Sequence, residues 1–351
     1  MGISVSPFGC YDDGSRAHLI TLESNGAFAC FTEFGASLVS LAVPDRQGRL
    51  TDVVLGLSSG GEYERHSGCL GAVCGRFANR ISGSSFRLNE EEYRLDPNHQ
   101  YYTLHGGSKG FHRRIWEFSP EGGDAAFSLF SPDGDMGFPG NLRVTVKYHF
   151  EFAKKPILLI SYSARCDRDT VISLTNHSYF NLSGHASGDM HQRLYVNADF
   201  FNPQDERQLP TGEVLRTRGT ALDFSTSRDV YPVARSGWEQ IRFAGGLDHN
   251  FLLKSDRRGS LTLGGRLYST RTGISMEALT TLPAMMVYTA NFLNIPRGKE
   301  GAAYGPNQAV CLECQNVPDS PNFPHFPSPV LKADEDYYAT TAYVFSAGEG
   351  E

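Results

Sequence analysis

No run of 18 apolar residues occurs in the 351-residue chain, so nothing in it reads as a membrane-spanning helix. Basic clusters are missing too. The formal net charge is −7, and an acidic surface repels phosphate backbones, which argues against a nucleic-acid partner. Familiar catalytic signatures are lacking: no H-E-x-x-H zinc helix, no G-x-S-x-G nucleophile elbow and no G-x-G-x-x-G turn after a strand. Neither a resident metal nor an organic cofactor is therefore expected. The seven cysteines are Cys10, Cys30, Cys69, Cys74, Cys166, Cys311 and Cys314. Their odd number, without a recognisable secretory leader, suggests free thiols in a reducing, cytoplasmic setting. Cys311 and Cys314 have C-x-x-C spacing, but no second pair supplies the four ligands of a structural zinc site.

Helical stripes are also scarce. Short helices are expected only near "GEYERHSG" and "SGWEQIRFAGG". Period-two alternation dominates instead. In "RVTVKYHFEF", Val144, Val146, Tyr148, Phe150 and Phe152 fall on one face, and Arg143, Thr145, Lys147, His149 and Glu151 on the other. "AHLITLESNGAFACFTEFGASLVSLAV" reads as consecutive strands with a hairpin at Asn25-Gly26. The 37 glycines and 18 prolines are scattered at turn-like intervals. No repeat or linker divides the chain. The expectation is one all-β domain over residues 1–351, a large antiparallel β-sandwich.

Five stretches carry polar groups where alternation predicts burial or a turn. "DTVISLTNHSYFN" reads as a strand with His177 inside it. "CGRFANRISG" sets Arg76 and Arg80 around Asn79. "YTLHGGSKGFHRRIW" brings His105 into a glycine turn. "GGLDHNF" reads as a loop with Asp248. "AVCLECQ" places Cys311, Glu313 and Gln315 on one strand face and Val310, Leu312 and Cys314 on the other. Taken singly, each has a plainer explanation. His177 could be a satisfied core imidazole, Arg80 a paired surface arginine, and His105 and Asp248 turn residues. Glu313 is the hardest to dismiss, because a carboxylate in an apolar strand costs stability unless paired. Together, His and Glu offer general acid/base chemistry. Arg, Asn and Asp amid aromatics suit a sugar, which has polar edges and an apolar face.

In order along the chain, "GRFANRI", "LHGGSKGFHRRIW", "NHSYFNL", "LDHNF" and "ECQNVPDSPNFPHFPSP" resemble the motifs of the aldose 1-epimerase family, the galactose mutarotases. The match runs from about residue 74 to residue 331. The resemblance implies a galactose mutarotase-like supersandwich and interconversion of the α and β anomers of free aldohexoses, without cofactor or metal. It implies Glu313 as general base on the C1 hydroxyl, His177 as general acid on the ring oxygen, and His105 assisting near both. Asn79, Arg80 and Asp248 are then expected to hold sugar hydroxyls, with Tyr179 at the wall and Tyr288 stacking on the sugar. One departure stands out. "PAMMVYTAN" has Met286 where relatives often place a substrate-contacting glutamine, and a thioether is only a weak acceptor. Two other readings stay open: a non-catalytic sugar-binding module, and an epimerase of a phosphorylated hexose that would use Arg113 and Arg114. Monomer and homodimer are equally compatible with the sequence.

Overall fold

The structure, a computed structural model, describes residues 2–66, 68–255 and 259–348. Antiparallel sheets dominate it. The largest has nine strands, in the spatial order Glu117–Glu121, Asp124–Ser131, Leu142–Phe152, Pro156–Cys166, Asp336–Ala347, Ile274–Thr280, Thr262–Tyr268, Arg193–Val196 and Arg228–Asp229. The strand Leu142–Phe152 buries Leu142, Val144, Val146, Tyr148 and Phe150 and leaves the residues between them at least partly exposed, as its alternation requires. A five-stranded meander precedes this sheet in sequence: Gly2–Cys10, Arg16–Ser24, Ala27–Thr32, Ser37–Pro44 and Leu50–Asp52. Its second hairpin turns at Asn25 (φ 48°) and Gly26 (φ 82°), both left-handed, which matches the twist of the flanking strands.

A second five-stranded sheet runs Leu215–Arg216, Ala198–Asn202, Asp248–Leu253, Ala284–Tyr288 and Cys311–Gln315. One apolar core joins the three sheets. It takes Phe31 and Leu41 from the first, Val146, Ile160 and Phe345 from the largest, and Phe251, Val287 and Leu312 from the second five-stranded sheet. Each such side chain withdrawn from water contributes about 1.5–3 kcal/mol. Two tyrosines of the large sheet also bond across the sandwich. Tyr148 donates to the Ala36 carbonyl at 2.7 Å and Tyr343 to the Leu312 carbonyl at 3.0 Å.

Three local expectations change. The stretch around His177 is not one strand. Thr170–Val171 pairs with Val330–Leu331, Thr175–Asn176 pairs with Val73–Cys74, and His177 follows the second ladder. Partners are exchanged along the way: Ile172 N–H donates to the Pro329 carbonyl and Ser173 N–H to the Arg76 carbonyl. Asp248, expected in a loop, begins a strand. The two expected helices form at Gly60–Arg65 and Glu239–Ala244, and an unexpected third spans Val230–Ala234, capped by the Asp229 carboxylate accepting from Tyr231 N–H at 3.0 Å. Among the described residues, no helix is long and apolar enough to cross a membrane.

Candidate active site

The functional side chains lie on or directly beside strands. Asp248 and Tyr288 pair across adjacent strands, and Tyr288 pairs with Cys311. Two residues along, Asn250, Met286 and Glu313 form the next row. Arg80 opens the strand Arg80–Ser82, while His105 and His177 each follow the last residue of a short strand. Arg80, His105, His177, Asp248, Tyr288 and Glu313 line a cavity of about 1050 Å³. Eight of the candidates named from the sequence are in its wall: Asn79, Arg80, His105, His177, Tyr179, Asp248, Tyr288 and Glu313.

Main-chain bonds fix His177 despite its place outside a strand. Its N–H donates to the Ala72 carbonyl at 2.8 Å, and its own carbonyl accepts from Gly71 N–H at 3.0 Å. Gly71 has φ +67°, and a Cβ there would lie 2.0 Å from the Leu38 carbonyl oxygen, so only glycine permits this turn. Asn176 braces the same turn by donating from Nδ2 to the Gly71 carbonyl at 2.7 Å. The Tyr179 ring stacks on the imidazole, with centroids 4.9 Å apart and planes 24° from parallel.

His177 Nε2 and Glu313 Oε1 are 3.5 Å apart, with both side chains almost fully buried. Among the described residues, Glu313 Oε2 and His177 Nδ1 have no protein partner, although buried polar atoms are ordinarily hydrogen-bonded. Burial pushes the Glu313 carboxyl from its ordinary value up to about 7, and Asp248 and Cys69 add to the rise. His177 and Arg80 oppose it. A reference glutamate would ionise near 4.3, so this carboxyl is set to gain and lose its proton near neutrality.

His105 and Asn79 lock one another. His105 N–H donates to the Asn79 carbonyl at 3.0 Å, and Asn79 N–H donates to His105 Nδ1 at 3.2 Å. Both residues take left-handed backbone, φ 51° and 67°, which non-glycine residues adopt at a cost. Gly106, next in the turn, has φ +84°, and a Cβ there would lie 2.0 Å from the Gly75 carbonyl oxygen. Burial drives the His105 pKa down to about 3, with His177 and His112 adding to the drop. His105 is therefore neutral in its working range, and because Nδ1 accepts, its proton is on Nε2. It is a hydrogen-bond donor in this site rather than a second acid.

Arg80 gathers the polar groups next to Asn79. Its guanidinium bonds Asp248 Oδ2 at 2.9 Å, Gln208 Oε1 at 3.2 Å and Asn79 Oδ1 at 3.3 Å, and lies 5.3 Å from the Tyr102 ring centroid. Burial disfavours its charge, but Asp248 and Tyr102 outweigh that and hold the group above its ordinary value. Ligand-type atoms of His105, His177 and Glu313 lie within 4.8 Å of one another, as do those of Cys69, Cys74 and His105. The whole arrangement offers a base and an acid side by side, a neutral donor, and a rigid Arg–Asp–Asn edge for hydroxyls.

The aldose 1-epimerase family model matches residues 18–344. The chain belongs to the aldose 1-epimerase family. It is 38% identical to the galactose mutarotase of Sus scrofa over 349 residues, 99% of each chain. It is 34% identical to the aldose 1-epimerase of Escherichia coli K12, covering 95% of this chain and 97% of that one. Among solved structures, an aldose epimerase homologue from C. elegans superposes with a TM-score of 0.87 at 30% identity, over 94% of this chain and 99% of that one. The galactose 1-epimerase of Lactobacillus acidophilus does so at 0.85 and 25%, over 99% and 100%.

Met286, Arg113 and Arg114 are not among the residues that line the cavity. Met286 is the cross-strand neighbour of Glu313, buried, and not part of the cavity wall. Directly opposite residues of an antiparallel pair share a sheet face, so Met286 flanks the catalytic carboxylate. Arg113 and Arg114 also lie outside the wall: Arg113 donates to the His66 carbonyl at 2.7 Å, and Arg114 pairs with Asp135. The wall in turn includes Cys69, Tyr102 and Gln208, which sequence reading did not single out. Gln208 sits in a polar turn that composition cannot tell from a solvated loop. Cys69 has only ordinary small neighbours to mark it.

Proposed function

We propose that the protein interconverts the α and β anomers of free aldohexoses such as galactose and glucose. Glu313 takes the proton of the C1 hydroxyl while His177 gives one to the ring oxygen. The C1–ring oxygen bond breaks to leave an open-chain aldehyde, C1 turns about the C1–C2 bond, and closure with the transfers reversed yields the other anomer. The observation that carries this reading is the 3.5 Å approach of His177 Nε2 to Glu313 Oε1. The two oxygens that exchange protons are bonded to one carbon, so an acid and a base placed this close can serve both. The carboxyl near 7 supplies a base of suitable strength. His105 donates from Nε2 to oxygen as charge develops, and Arg80, Asp248 and Asn79 hold hydroxyls. Tyr179 and Tyr288 border the apolar sugar face.

The phosphosugar reading has less support, because Arg113 and Arg114 are engaged away from the cavity. We also propose that the chain acts as one unit in a reducing, cytosolic compartment. A single core drawing on residues from Ile20 to Phe345 supports the first point, and seven free cysteines the second. Polarimetry tests the function. Freshly dissolved α-D-galactose or α-D-glucose is followed to equilibrium with wild type and with Glu313→Gln. The wild type is expected to speed the approach and the variant to fall to near the buffer rate. Equal rates for wild type and buffer with several free aldoses would reject the proposal, and a fully active variant would reject the role of Glu313.

A further inference from the structure

Beside the proton-transferring residues lies a cluster that anomer exchange does not use. Cys69 and Cys74 are buried free thiols, and ligand-type atoms from these two and from His105 lie within 4.8 Å of one another. Cys69 reaches the cavity wall, whereas Cys74 is fully buried behind it. The backbone brings them together. Ala72 N–H donates to the Cys69 carbonyl at 3.0 Å, closing a turn that returns the chain into the strand Val73–Cys74. Two neighbouring imidazole nitrogens, His112 Nδ1 and His177 Nδ1, are buried without a partner among the described residues.

We propose that Cys69, Cys74 and His105 form a binding site for a thiophilic divalent cation such as Zn²⁺, and that the bound cation blocks the sugar cavity. Two thiolates and an imidazole are a ligand set that zinc accepts with a fourth position left open, whereas Mg²⁺ and Ca²⁺ select oxygen donors. Ligation expels each thiol proton to solvent as its metal–sulfur bond forms. At His105, Nε2 becomes the ligand, its proton passes to Nδ1, and the 3.2 Å contact from Asn79 N–H is given up. The cation thereby takes the donor that the sugar would use. The C-x-x-C pair offers no such site: Cys311 and Cys314 lie on opposite strand faces and belong to different apolar clusters. The binding half stands on geometry alone, and the blocking half rests on the proposed function.

The test uses the full chain, reduced and stripped with a chelator. It is titrated with Co²⁺ as a spectroscopic probe and then with Zn²⁺. One Co²⁺ per chain is expected, with intense thiolate-to-metal charge-transfer absorption that Zn²⁺ abolishes by displacement. Zn²⁺ is expected to lower galactose binding in equilibrium dialysis and slow mutarotation, and chelator to restore both. Cys74→Ser, or Cys69→Ser if the first variant misfolds, is expected to lose the band. The Zn²⁺ affinity of that variant is expected to drop by more than the roughly 10- to 100-fold typical of an outer-shell partner. No charge-transfer band in wild type would overturn the site, as would a band that survives both substitutions. A metal bound without thiolate absorption would assign it to His105, His177 and Glu313 instead and reject the proposal. A chain that shows the band but neither binds nor turns over free aldoses keeps the cation site and loses the blocking half together with the proposed function.

Discussion

Lys299 and Glu313 are both buried ionisable groups, and the protein treats them in opposite ways. The Lys299 ammonium donates to the Val39 and Val54 carbonyls at 2.8 and 3.0 Å, to Ser40 Oγ at 3.0 Å and to Asp52 Oδ2 at 2.6 Å. Every donor is satisfied, and the lysine ties the N-terminal meander to a distant loop. Glu313 has one contact of 3.5 Å and an oxygen with no protein partner. The first arrangement spends a buried charge on holding the fold. The second leaves a carboxylate incompletely solvated, which destabilises the ionised form and makes it a stronger base. Arg76 and Arg80, four residues apart, also divide between the fold and the cavity. Arg76 donates to Pro139, Gly140 and Ser131 carbonyls and to two hydroxyls, away from the cavity. Arg80 faces the cavity with Asp248.

Glu313→Gln breaks the comparison most sharply. Mutarotation is expected to fall by at least the roughly 10²- to 10⁴-fold that one positioned proton transfer contributes. Stability is expected to rise. A carboxyl whose folded value is raised from 4.5 to about 7 binds its proton more tightly folded than unfolded, so stability is full below 4.5 and declines as pH climbs to 7. Above that the loss is about 3 kcal/mol. The amide variant escapes it, so chemical denaturation at pH 8 should show it more stable than wild type, with the advantage vanishing near pH 4. A wild type that is the more stable protein at pH 8 would contradict the strained-base account.

Lys299→Met tests the other side. Removing one partner of a buried pair strands Asp52 and costs about 3–5 kcal/mol, measurable by urea unfolding, while the rate per folded molecule is expected to hold. Arg80→Lys at the cavity should raise KM about 10-fold with kcat little changed, because a charged hydrogen bond is worth about 1.5–3 kcal/mol and lysine cannot keep the planar fork that meets Asp248, Asn79 and Gln208 together. Met286→Gln is expected to have the smallest effect. Since Met286 is not among the residues lining the cavity, KM for galactose should move by less than about 3-fold, no more than the low end of the net worth of one neutral hydrogen bond.

Much of this was legible in the sequence because burial and periodicity act locally. The alternation of residues 143–152 and the Asn25-Gly26 hairpin required no long-range information. Glu313 was assigned to the correct strand face, opposite Leu312 and Cys314, from period two alone. What escaped was set by contacts far apart in the chain. His177 is held by the turn at Gly71, about a hundred residues away in sequence, so its segment looked like a continuous strand. Met286 shares its row with Asn250 and Glu313 on adjacent strands, a relation that spacing along the chain does not show. The raised Glu313 pKa depends on burial, which residue type does not encode. Cys69 and Cys74 fit no familiar spacing, and the familiar spacing, Cys311 and Cys314, points its thiols apart.

The central claim is that burial makes Glu313 a base poised near neutrality. The most direct measurement is a carbon-13 NMR titration of the glutamate side-chain carboxyls in wild type, with the Glu313 signal assigned by its loss in Glu313→Gln. The account predicts a midpoint close to 7 for that signal, matching the acidic limb of the mutarotation pH profile. A midpoint near 4.5, with mutarotation undiminished down to pH 5, would contradict it.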